Sequence, residues 1–409
     1  MIKKVSTDEL KLGMYIYDLN CAWMKHPFLR KSFMLRKEAD LRTILDSPSR
    51  EVYIDTLKGL DAAASLEEGA PEAPAAGERE VAPEIPPPAV PARSSFLEEL
   101  AIASRIKQEA HKAMRSIMAD VRIGRQIQVE QLNPVVSQIT DSILRNPGTL
   151  VSLCRIREAD AVTFQHSVSV SAMLVMFCHH LGMDREILHE AGMAGMLHDI
   201  GKMQVPDHIL NKPGRLTGSE FEIMKGHVQL GTETLRQTPG ISDIVLQVAG
   251  EHHEQFKGSG YPSRRKGDEI SWLGRMASIV DVYDALTSKR AYHEGIEPAS
   301  ALHQLYGCSP GLFDEELVQH FIRAIGIYPT GSLVLLASNR LGAVIEQNEG
   351  SPLRPKVRIV YDLALDRKVA PLDVDLSLPA HAADGILGHE DPRSWNFGLD
   401  FTQNLDYEP

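Results

Sequence analysis

Histidine and aspartate side chains recur at five separate places along one helical stretch, and this recurrence restricts the fold more than any other feature. The positions are His166, His198-Asp199, His227, His252-His253 and Asp281. Imidazole and carboxylate groups without thiolate suit iron, manganese or another octahedral ion better than structural zinc. Five separate sources of such ligands can enclose more than one metal ion. Two neighbouring ions are a recurring device for cleaving phosphodiesters.

The overall composition indicates a folded, acidic chain. Its 409 residues suffice for about two or three domains, and a hydrophobic content of 43% excludes wholesale disorder. The net charge of −12 argues against broad binding to DNA or RNA, because such binding requires a basic face. A small phosphorylated substrate remains compatible with this charge, since a local basic pocket would be enough to bind it.

Cysteine usage and the N-terminal sequence predict a cytoplasmic location. The four cysteines are far apart and show no CxxC spacing, so we expect reduced, mostly buried thiols rather than a disulfide framework. Asp8 and Glu9 interrupt the N-terminus before an apolar segment develops, so no secretory signal is predicted. No apolar run approaches the roughly 18 residues that a membrane-spanning helix requires.

Composition changes along the chain predict three segments ahead of the histidines. Residues 1–60 predict a small mixed α/β or β domain, with strands near residues 14–17 and 51–54. Residues 61–95 are rich in proline, alanine and glutamate, as is typical of an extended linker. Residues 96–125 predict an amphipathic helix that docks on the next domain or pairs with a second copy. Its apolar face is expected to comprise Ile102, Ile106, Ala110, Ala113 and Ile117.

The rest of the chain divides into a helical core and two shorter segments. Residues 126–328 show helical periodicity throughout. One helix start is marked by the capping box Thr217-Gly218-Ser219-Glu220, and we expect that helix to carry His227. Residues 329–365 predict a short β appendage, and residues 366–409 a poorly structured acidic tail. The predicted fold class is therefore mainly α, with an all-helical core between a small mixed domain and a β appendage.

The segment around His198 carries the densest chemistry. Residues 191–202 predict one helix, whose Gly192 and Gly195 permit close packing. On such a helix His198 and Lys202 would share a face, and Asp199 could reach the same metal centre. A carboxylate that bridges two cations would hold them together, and Lys202 could bind a phosphate oxygen or stabilise a leaving alkoxide. Taken alone, a structural His-Asp pair beside a solvated lysine is an equally good interpretation.

His252-His253 and Asp281 are the next candidate ligands. Neighbouring helical residues point about 100° apart, so both histidines can bind metal only if their helix ends there or the metal sits in its angle. The alternative is a helix C-terminus whose histidines favour the dipole. Asp281 shares a face of an otherwise apolar helix with Asp284, where acids are rarely buried without a partner. Arg290 follows, and its guanidinium could grip a phosphate.

Lone histidines such as His166 and His227 would by default be ordinary core or surface residues. The complete pattern, however, resembles the HD-GYP proteins, a branch of the HD phosphohydrolases that hydrolyses cyclic di-GMP. The resemblance covers about residues 126–328, half of the chain, and residues 1–60 resemble a small domain of unassigned function often found ahead of such modules. It rests on His198-Asp199-Ile200-Gly201-Lys202, Lys212-Pro213-Gly214, His252-His253-Glu254, Gly258-Ser259-Gly260-Tyr261-Pro262 and the run from Asp281 to Ser288.

The resemblance implies a metal site whose ligands fall into two sets that share Asp199. The first ion would be held by His166, His198, Asp199 and Asp281, and the second by Asp199, His227, His252 and His253. Three-metal members of the family carry a glutamate four positions before the first histidine. This chain has Val162 at that position, so we expect two divalent ions, most simply iron or manganese.

The resemblance also implies where substrate and partners bind. Lys202, Asp284 and Arg290 would fall near the substrate phosphates, and Tyr261 would lie on a loop that covers the pocket. The segment Gly260-Tyr261-Pro262 is also implicated in binding GGDEF-domain cyclases.

The sequence therefore predicts a metal-dependent phosphodiesterase that hydrolyses cyclic di-GMP to pGpG, with GMP as a further product left open and Asp199 and Lys202 as catalytic residues. Two alternatives stay open. One is a module that binds cyclic di-GMP or a cyclase without useful turnover, because Lys257 and His293 depart from the usual family pattern. The other is a hydrolase of another nucleotide, such as cyclic GMP-AMP. Neither DNA nor RNA is an expected partner, and a homodimer through residues 96–125 is left open.

Overall fold

The chain divides into two units, residues 1–89 and residues 90–409. The computed structural model describes residues 2–18, 33–35, 38–45, 50–56, 59–60, 91–155, 162–288, 295–348 and 351–395. Most of the predicted linker, up to residue 90, lies outside these described residues.

The N-terminal unit is a small mixed fold, as predicted. Its elements are β1 (Ile2–Ser6), β2 (Tyr15–Asp18), β3 (Phe33–Met34), α1 (Glu38–Leu45) and β4 (Glu51–Asp55). The strands form one antiparallel sheet in the order β1-β4-β2-β3. Val5 pairs with Val52 across this sheet, and both join a buried cluster with Met14, Ile16 and Ile54. The predicted strands near residues 14–17 and 51–54 are confirmed, whereas β1 and α1 were not predicted.

The second unit begins with helices, as the periodicity of residues 96–328 predicted. The most deeply buried helix is α5, whose residues 165–178 are buried on every side, and it packs against α2, α3, α4, α6, α11 and α13. None of the described helices combines the length and apolar character that crossing a membrane requires. The helices are α2 (Phe96–Arg122), α3 (Asn133–Arg145), α4 (Pro147–Cys154), α5 (Val162–His180), α6 (Arg185–Leu197), α7 (Asp207–Leu210), α8 (Gly218–Lys225), α9 (His227–Arg236), α10 (Asp243–Glu251), α11 (Trp272–Thr287), α12 (Pro298–Leu312) and α13 (Glu315–Ile325).

Two glycines allow α6 to lie directly against α5 and α3. A Cβ atom at Gly195 would lie 2.5 Å from the Cα of Ser171, and one at Gly192 would lie 2.7 Å from Val136. No side chain fits at such distances, so the predicted packing role of both glycines is confirmed. This close contact brings the end of α6, and therefore His198, next to the α5 segment that carries His166.

The long helix α2 docks on the helical core through α3, α4 and α5, which confirms one of the two roles that its amphipathic pattern left open. The predicted apolar face is wrong in part. Ile102 is 40% exposed, and Ala113 is only partly buried. The buried face instead runs through Ala103, Ile106, Ala110, Met114, Ile117 and Val121.

One buried ion pair fixes the start of α2 against the end of α3. The carboxylate of Glu99 is fully buried and accepts two hydrogen bonds of 2.7 Å from Arg145, together with bonds from the hydroxyls of Ser142 and Ser94. Burial alone would raise the pKa of Glu99, but these hydrogen bonds hold it below its ordinary value of 4.5. The pair therefore contributes stability only while Glu99 is ionised.

A five-stranded antiparallel sheet follows the helices. Its strands are β5 (Leu333–Leu336), β6 (Arg340–Glu346), β7 (Lys356–Asp362), β8 (Arg367–Asp375) and β9 (Ile386–Glu390), in the order β8-β7-β6-β5-β9. The expectation of an unstructured tail from residue 366 is therefore wrong as far as residue 395, because β8 and β9 form the two edges of the sheet. Most residues of β8 are exposed and only Val374 is buried, so the sequence shows no alternation of apolar and polar residues there. Phe96 at the start of α2 packs against Leu333 and Leu341.

Replacing Glu99 by glutamine should destabilise the helical unit by about 3 kcal/mol, because Arg145 loses the charge that balances its own. The folded-state pKa of Glu99 is depressed, so its contribution is present above the unfolded value and is lost as the pH falls through the folded one. Thermal unfolding of the two proteins should differ most near neutral pH and converge in acid. The matched control is Glu109→Gln, at an exposed position of the same helix; equal losses in both variants would contradict this role.

Candidate metal centre

Asp199 lies just beyond a helix rather than within one. α6 ends at Leu197, and Asp199 has φ −102° and ψ 9° immediately before a 3₁₀ turn, Ile200–Gln204. That turn packs so closely on α9 that a Cβ atom at Gly201 would lie 2.0 Å from the carbonyl oxygen of His227. The helix predicted over residues 191–202 is therefore too long, and His198 and Lys202 do not share a helix face. The early end of α6 lets Asp199 turn into the interior.

The fully buried carboxylate of Asp199 lies between two pairs of histidines. Its Oδ2 atom is 3.4 Å from Nε2 of His166 and 3.3 Å from Nε2 of His198. Its Oδ1 atom is 3.3 Å from Nε2 of His227 and 3.5 Å from Nε2 of His252. Each carboxylate oxygen thus faces a different pair of imidazole nitrogens, which is the arrangement that one carboxylate needs in order to bridge two ions.

Backbone carbonyl groups fix the orientation of three of these imidazoles. Nδ1 lies 2.8 Å from the oxygen of Gly195 in His198, 2.7 Å from that of Met224 in His227, and 3.0 Å from that of Ala249 in His252. An Nδ1–H that donates to a carbonyl leaves Nε2 unprotonated and available as a ligand. All three Nε2 atoms face Asp199.

His166 is held by two aspartates of α11. Its Nε2 atom lies 3.0 Å from Oδ1 of Asp281, and its Nδ1 atom lies 2.6 Å from Oδ2 of Asp284. The other Asp284 oxygen accepts a hydrogen bond of 2.6 Å from Ser169, and Asp284 is almost completely buried. Both Asp284 oxygens thus contact protein groups, and a place near the substrate phosphates stays a prediction of the sequence. Asp284 lies behind His166, where its carboxylate orients the imidazole toward Asp199 and Asp281.

His253 lies on the same side of Asp199 as His227 and His252. α10 ends at Glu251, which meets the first of the two conditions under which both neighbouring histidines can bind metal. Ligand atoms of Asp199, His227, His252 and His253 lie within 4.8 Å of one another, and those of His166, His198 and Asp199 form a second such group. Nδ1 of His253 is also 3.7 Å from Oδ2 of Asp281. The geometry therefore brings all seven predicted ligands together.

The helix start predicted at Thr217 is confirmed, but that helix does not carry His227. The Thr217 hydroxyl accepts a hydrogen bond from the amide of Glu220, and the Glu220 carboxylate accepts one from the amide of Thr217. The same carboxylate pairs with Lys212 at 2.5 Å, which ties the preceding loop to α8. α8 ends at Lys225, and His227 begins α9 after Gly226.

Burial and neighbouring charge shift the ionisable groups of the site in opposite directions. Burial would lower the pKa of His166, but the neighbouring carboxylates of Asp199, Asp281 and Asp284 raise it to about 10. Burial would raise the pKa of Asp199 and Asp281, yet positive charge and hydrogen bonds hold both well below the ordinary value, chiefly from Lys202 for Asp199 and from His166 for Asp281. Burial lowers the pKa of His227 and His253, which keeps both imidazoles neutral.

The seven residues fit a divalent metal centre. Oδ1 of Asp199 and the Nε2 atoms of His166 and His198 are buried without a hydrogen-bond partner, whereas buried polar atoms in folded proteins are nearly always paired. Three buried carboxylates also concentrate negative charge, which is costly in a protein interior unless cations balance it. Nitrogen and oxygen donors of this kind suit iron or manganese.

Two predicted substrate residues lie beside this centre, and a third cannot be placed. Nζ of Lys202 is 2.5 Å from Oδ2 of Asp199, and its side chain is 22% exposed, so the ammonium group lies between the buried centre and solvent. The ring of Tyr261 lies 4.7 Å from that of His253 at an interplanar angle of 35°. Burial, with the nearby charges of Asp281 and Asp199, raises the pKa of Tyr261. Arg290 and His293 lie outside the described residues.

The loop that carries Tyr261 is held by a glutamate to which the sequence pattern gave no role. Buried Glu254 accepts hydrogen bonds from the amides of Ser263 at 2.7 Å and Arg265 at 3.1 Å. A Cβ atom at Gly260 would lie 2.4 Å from the amide nitrogen of Gln255, so only glycine fits there. The position of Glu254 directly after two candidate ligand histidines was the only sequence signal for a role. Its partners are backbone amides of the loop, and a motif of side chains does not indicate such partners.

An all-helical core that surrounds a buried histidine–aspartate centre defines the class of HD-domain, metal-dependent hydrolases. Two family models match the chain: an HD domain over residues 154–317 and a domain of unknown function, DUF3391, over residues 2–132. The second match extends well beyond residue 60, the predicted boundary of the N-terminal domain.

Similar proteins place the chain within this class. It is 38% identical over 408 residues to "Cyclic di-GMP phosphodiesterase PA4108" from Pseudomonas aeruginosa, covering 99% of this chain and 95% of that protein. It is 36% identical to a Thermotoga maritima protein named as a cyclic di-GMP phosphodiesterase, over 40% of this chain and 45% of that protein. It is 40% identical to the "3'3'-cGAMP-specific phosphodiesterase 2" of Vibrio cholerae, over 31% and 24%. The chain belongs to the HD-GYP family of HD phosphohydrolases.

Replacing Asp284 by asparagine should weaken metal binding by about 10- to 100-fold, the usual effect of removing the partner that orients a ligand histidine. The amide keeps the size of the side chain, so the helical fold should be retained. Metal affinity is measured by titrating the metal-free protein with Mn²⁺, with circular dichroism as a check on folding. Asp243→Asn, at an exposed position in the first turn of α10, is the control. Unchanged affinity in a folded Asp284→Asn protein would refute the orienting role.

Proposed function

We propose that this protein is a metal-dependent phosphodiesterase that hydrolyses cyclic di-GMP to pGpG. The observation that carries the proposal is the position of Asp199, whose two oxygens face two separate pairs of imidazoles. A relative that matches nearly the full length of the chain bears the name of a cyclic di-GMP phosphodiesterase, which supports this choice of substrate.

Two divalent ions, iron or manganese, would be held by the seven ligands in two sets that share Asp199. When bound, such ions neutralise phosphate charge and make water a competent nucleophile near neutral pH. The orientation of the ligands is the protein's own contribution, since backbone carbonyls and Asp284 fix the imidazoles before any ion binds. This fixed orientation lowers the reorganisation that binding of metal and phosphate would otherwise require.

Lys202 is the residue that we assign to the reacting phosphate itself. Its ammonium group contacts Oδ2 of Asp199 at the partly exposed edge of the centre. In that position it can donate a hydrogen bond to a phosphate oxygen and stabilise the leaving 3′-oxygen as negative charge develops. Arg290 is proposed as a second phosphate-binding residue on the basis of the sequence pattern alone.

A second candidate substrate is cyclic GMP-AMP. A Vibrio cholerae relative named for 3'3'-cGAMP is 40% identical over 127 residues. A panel of cyclic di-GMP, cyclic GMP-AMP and cyclic di-AMP separates the two candidates. Tight binding of cyclic di-GMP without release of pGpG would instead support a receptor. GGDEF-domain partners through Gly260, Tyr261 and Pro262, a homodimer and a cytoplasmic location stay predictions of the sequence.

Protein purified without oxygen and loaded with ferrous iron or manganese should contain two metal ions per chain. The position one turn before His166 on α5 is Val162, and valine offers no ligand atom, so no third ion is expected. Metal content per chain is measured by elemental analysis after desalting. The companion variant Val162→Glu supplies a carboxylate at this position and should raise the metal content toward three ions per chain. Three ions in the unaltered protein would contradict the proposed count.

Asp199→Ala should abolish both metal content and cleavage of cyclic di-GMP, because both ligand sets lose their shared carboxylate. Lys202→Ala should keep its metal and lower kcat by about 100-fold, the typical effect of removing one group that stabilises transition-state charge. Product formation is followed by chromatography of pGpG and GMP. The matched control for Lys202 is Lys112→Ala, at an exposed position of α2. Parental turnover by metal-loaded Asp199→Ala would exclude this mechanism.

A further inference from the structure

Three side chains beside the metal centre form a corner, and two of them, Phe221 and Lys225, were not part of the predicted site. The rings of Phe221 and Tyr261 lie 6.3 Å apart at an interplanar angle of 81°. The ammonium group of Lys225 lies 5.3 Å from the centre of the Phe221 ring and 5.7 Å from that of the Tyr261 ring. These distances are within the range of cation–π attraction. Two perpendicular aromatic rings and a cation therefore meet at one place.

Phe221 and Lys225 belong to α8, a helix without a buried residue. They are four residues apart, so they share a helix face. The side chain of Phe221 is 46% exposed, although removal of an exposed aromatic ring from water stabilises a protein. The ring is therefore accessible at the surface beside the metal centre, where a flat ligand can stack on it.

The corner is continuous with the metal centre. The Tyr261 ring lies against the ring of the metal ligand His253, with centres 4.7 Å apart. The Phe221 ring in turn lies beside the Tyr261 ring. If the phosphate of a nucleotide lies at the metal ligands, its base lies a short distance outside the metal centre. The rings of His253, Tyr261 and Phe221 follow one another outward from that centre.

We propose that Phe221, Tyr261 and Lys225 form a binding subsite for one guanine base of the substrate. This inference rests on the proposed function and deepens it. The base would enter the corner and stack on an aromatic face, an interaction open to every base. Lys225 would then move from the rings to the base edge, where O6 and N7 of guanine accept hydrogen bonds from a lysine. Its flexible side chain permits this movement.

The charge of Lys225 makes the subsite selective. Guanine presents two acceptors to the ammonium group, whereas adenine presents an amino donor at the position of O6. The present partner of Lys225 is Glu222, at 2.6 Å, and this glutamate is 70% exposed. Exposed ion pairs of this kind contribute little free energy, so Lys225 can exchange Glu222 for a base at small cost.

The test compares three variants of the full-length, metal-loaded protein. Phe221→Ala should raise KM for cyclic di-GMP by about 5- to 100-fold, the range expected for the loss of one base-stacking contact, with kcat nearly unchanged. Phe221→Trp should restore the parental KM, because it keeps an aromatic face. Ile223→Ala is the matched control: Ile223 is 48% exposed on the same helix, but at 100° per residue it points away from Phe221 and Lys225.

Lys225→Ala tests the selectivity separately. The ratio of kcat/KM for cyclic di-GMP to that for cyclic di-AMP should fall by about tenfold, within the discrimination expected of a side chain that reads guanine O6 and N7. Metal content should equal that of the parental protein in every variant. A ratio that stays constant in Lys225→Ala, or a KM that changes no more in Phe221→Ala than in Ile223→Ala, would overturn the subsite.

Failure of the subsite and failure of the proposed function give different results. If the parental protein cleaves cyclic di-GMP and Phe221→Ala behaves as Ile223→Ala does, only the subsite is wrong. If the parental protein cleaves no cyclic di-GMP, the proposed hydrolysis is wrong, and calorimetric binding of the intact dinucleotide takes the place of kinetics. Weaker binding by Phe221→Ala and Lys225→Ala alone would then support the subsite, and equal binding by all variants would exclude it.

Discussion

The buried carboxylate of Asp199 is the group on which the rest of the site depends. A carboxylate without solvent carries a large electrostatic cost unless positive charge balances it, and Asp281 and Asp284 add to that negative charge. In the metal-free protein, Lys202 and a protonated His166, whose pKa is raised to about 10, supply part of the balance. Divalent ions would supply the rest, because Asp199 directs one oxygen to each of two imidazole pairs. The negative charge that would bind the metal ions therefore destabilises the folded protein when no ions are bound.

The helical frame holds this charged centre in one geometry. Gly195 lets α6 contact α5, and Gly201 lets the following turn contact α9, so three ligand-bearing segments approach one another at backbone distance. Hydrogen bonds from Nδ1 to backbone carbonyls then orient His198, His227 and His252. Because these contacts involve the backbone, they restrict the imidazoles more tightly than side-chain packing would. The fold thus orients these ligands before any metal ion binds.

The metal ligands are more deeply buried than the residues that are proposed to contact the substrate. The ligands are buried in α5, α9, α11 and the ends of α6 and α10, whereas Tyr261, Phe221 and Lys225 lie on a loop and on a helix that buries no side chain. Exposed elements tolerate substitution at little cost in stability. The surface that would contact the nucleotide can therefore vary among related proteins while the metal ligands stay in place. Glu254 connects the two parts, since it follows the ligand His253 and holds the loop amides.

The sequence by itself determined the fold class, the capped start of α8 at Thr217 and the packing role of Gly192 and Gly195, because spacing and residue type act locally or through the helical repeat. The full set of seven candidate ligands came from the resemblance to the HD-GYP family, since His166 and His227 taken singly would be ordinary histidines. Only the tertiary structure decided how distant residues pair. It paired Asp284 with His166, ended α6 before His198, separated His227 from α8, and added β8 and β9 to the sheet. It also brought Phe221 next to Tyr261, forty residues later in the chain. Each of these outcomes depends on burial and on contacts between remote segments, which no local pattern encodes.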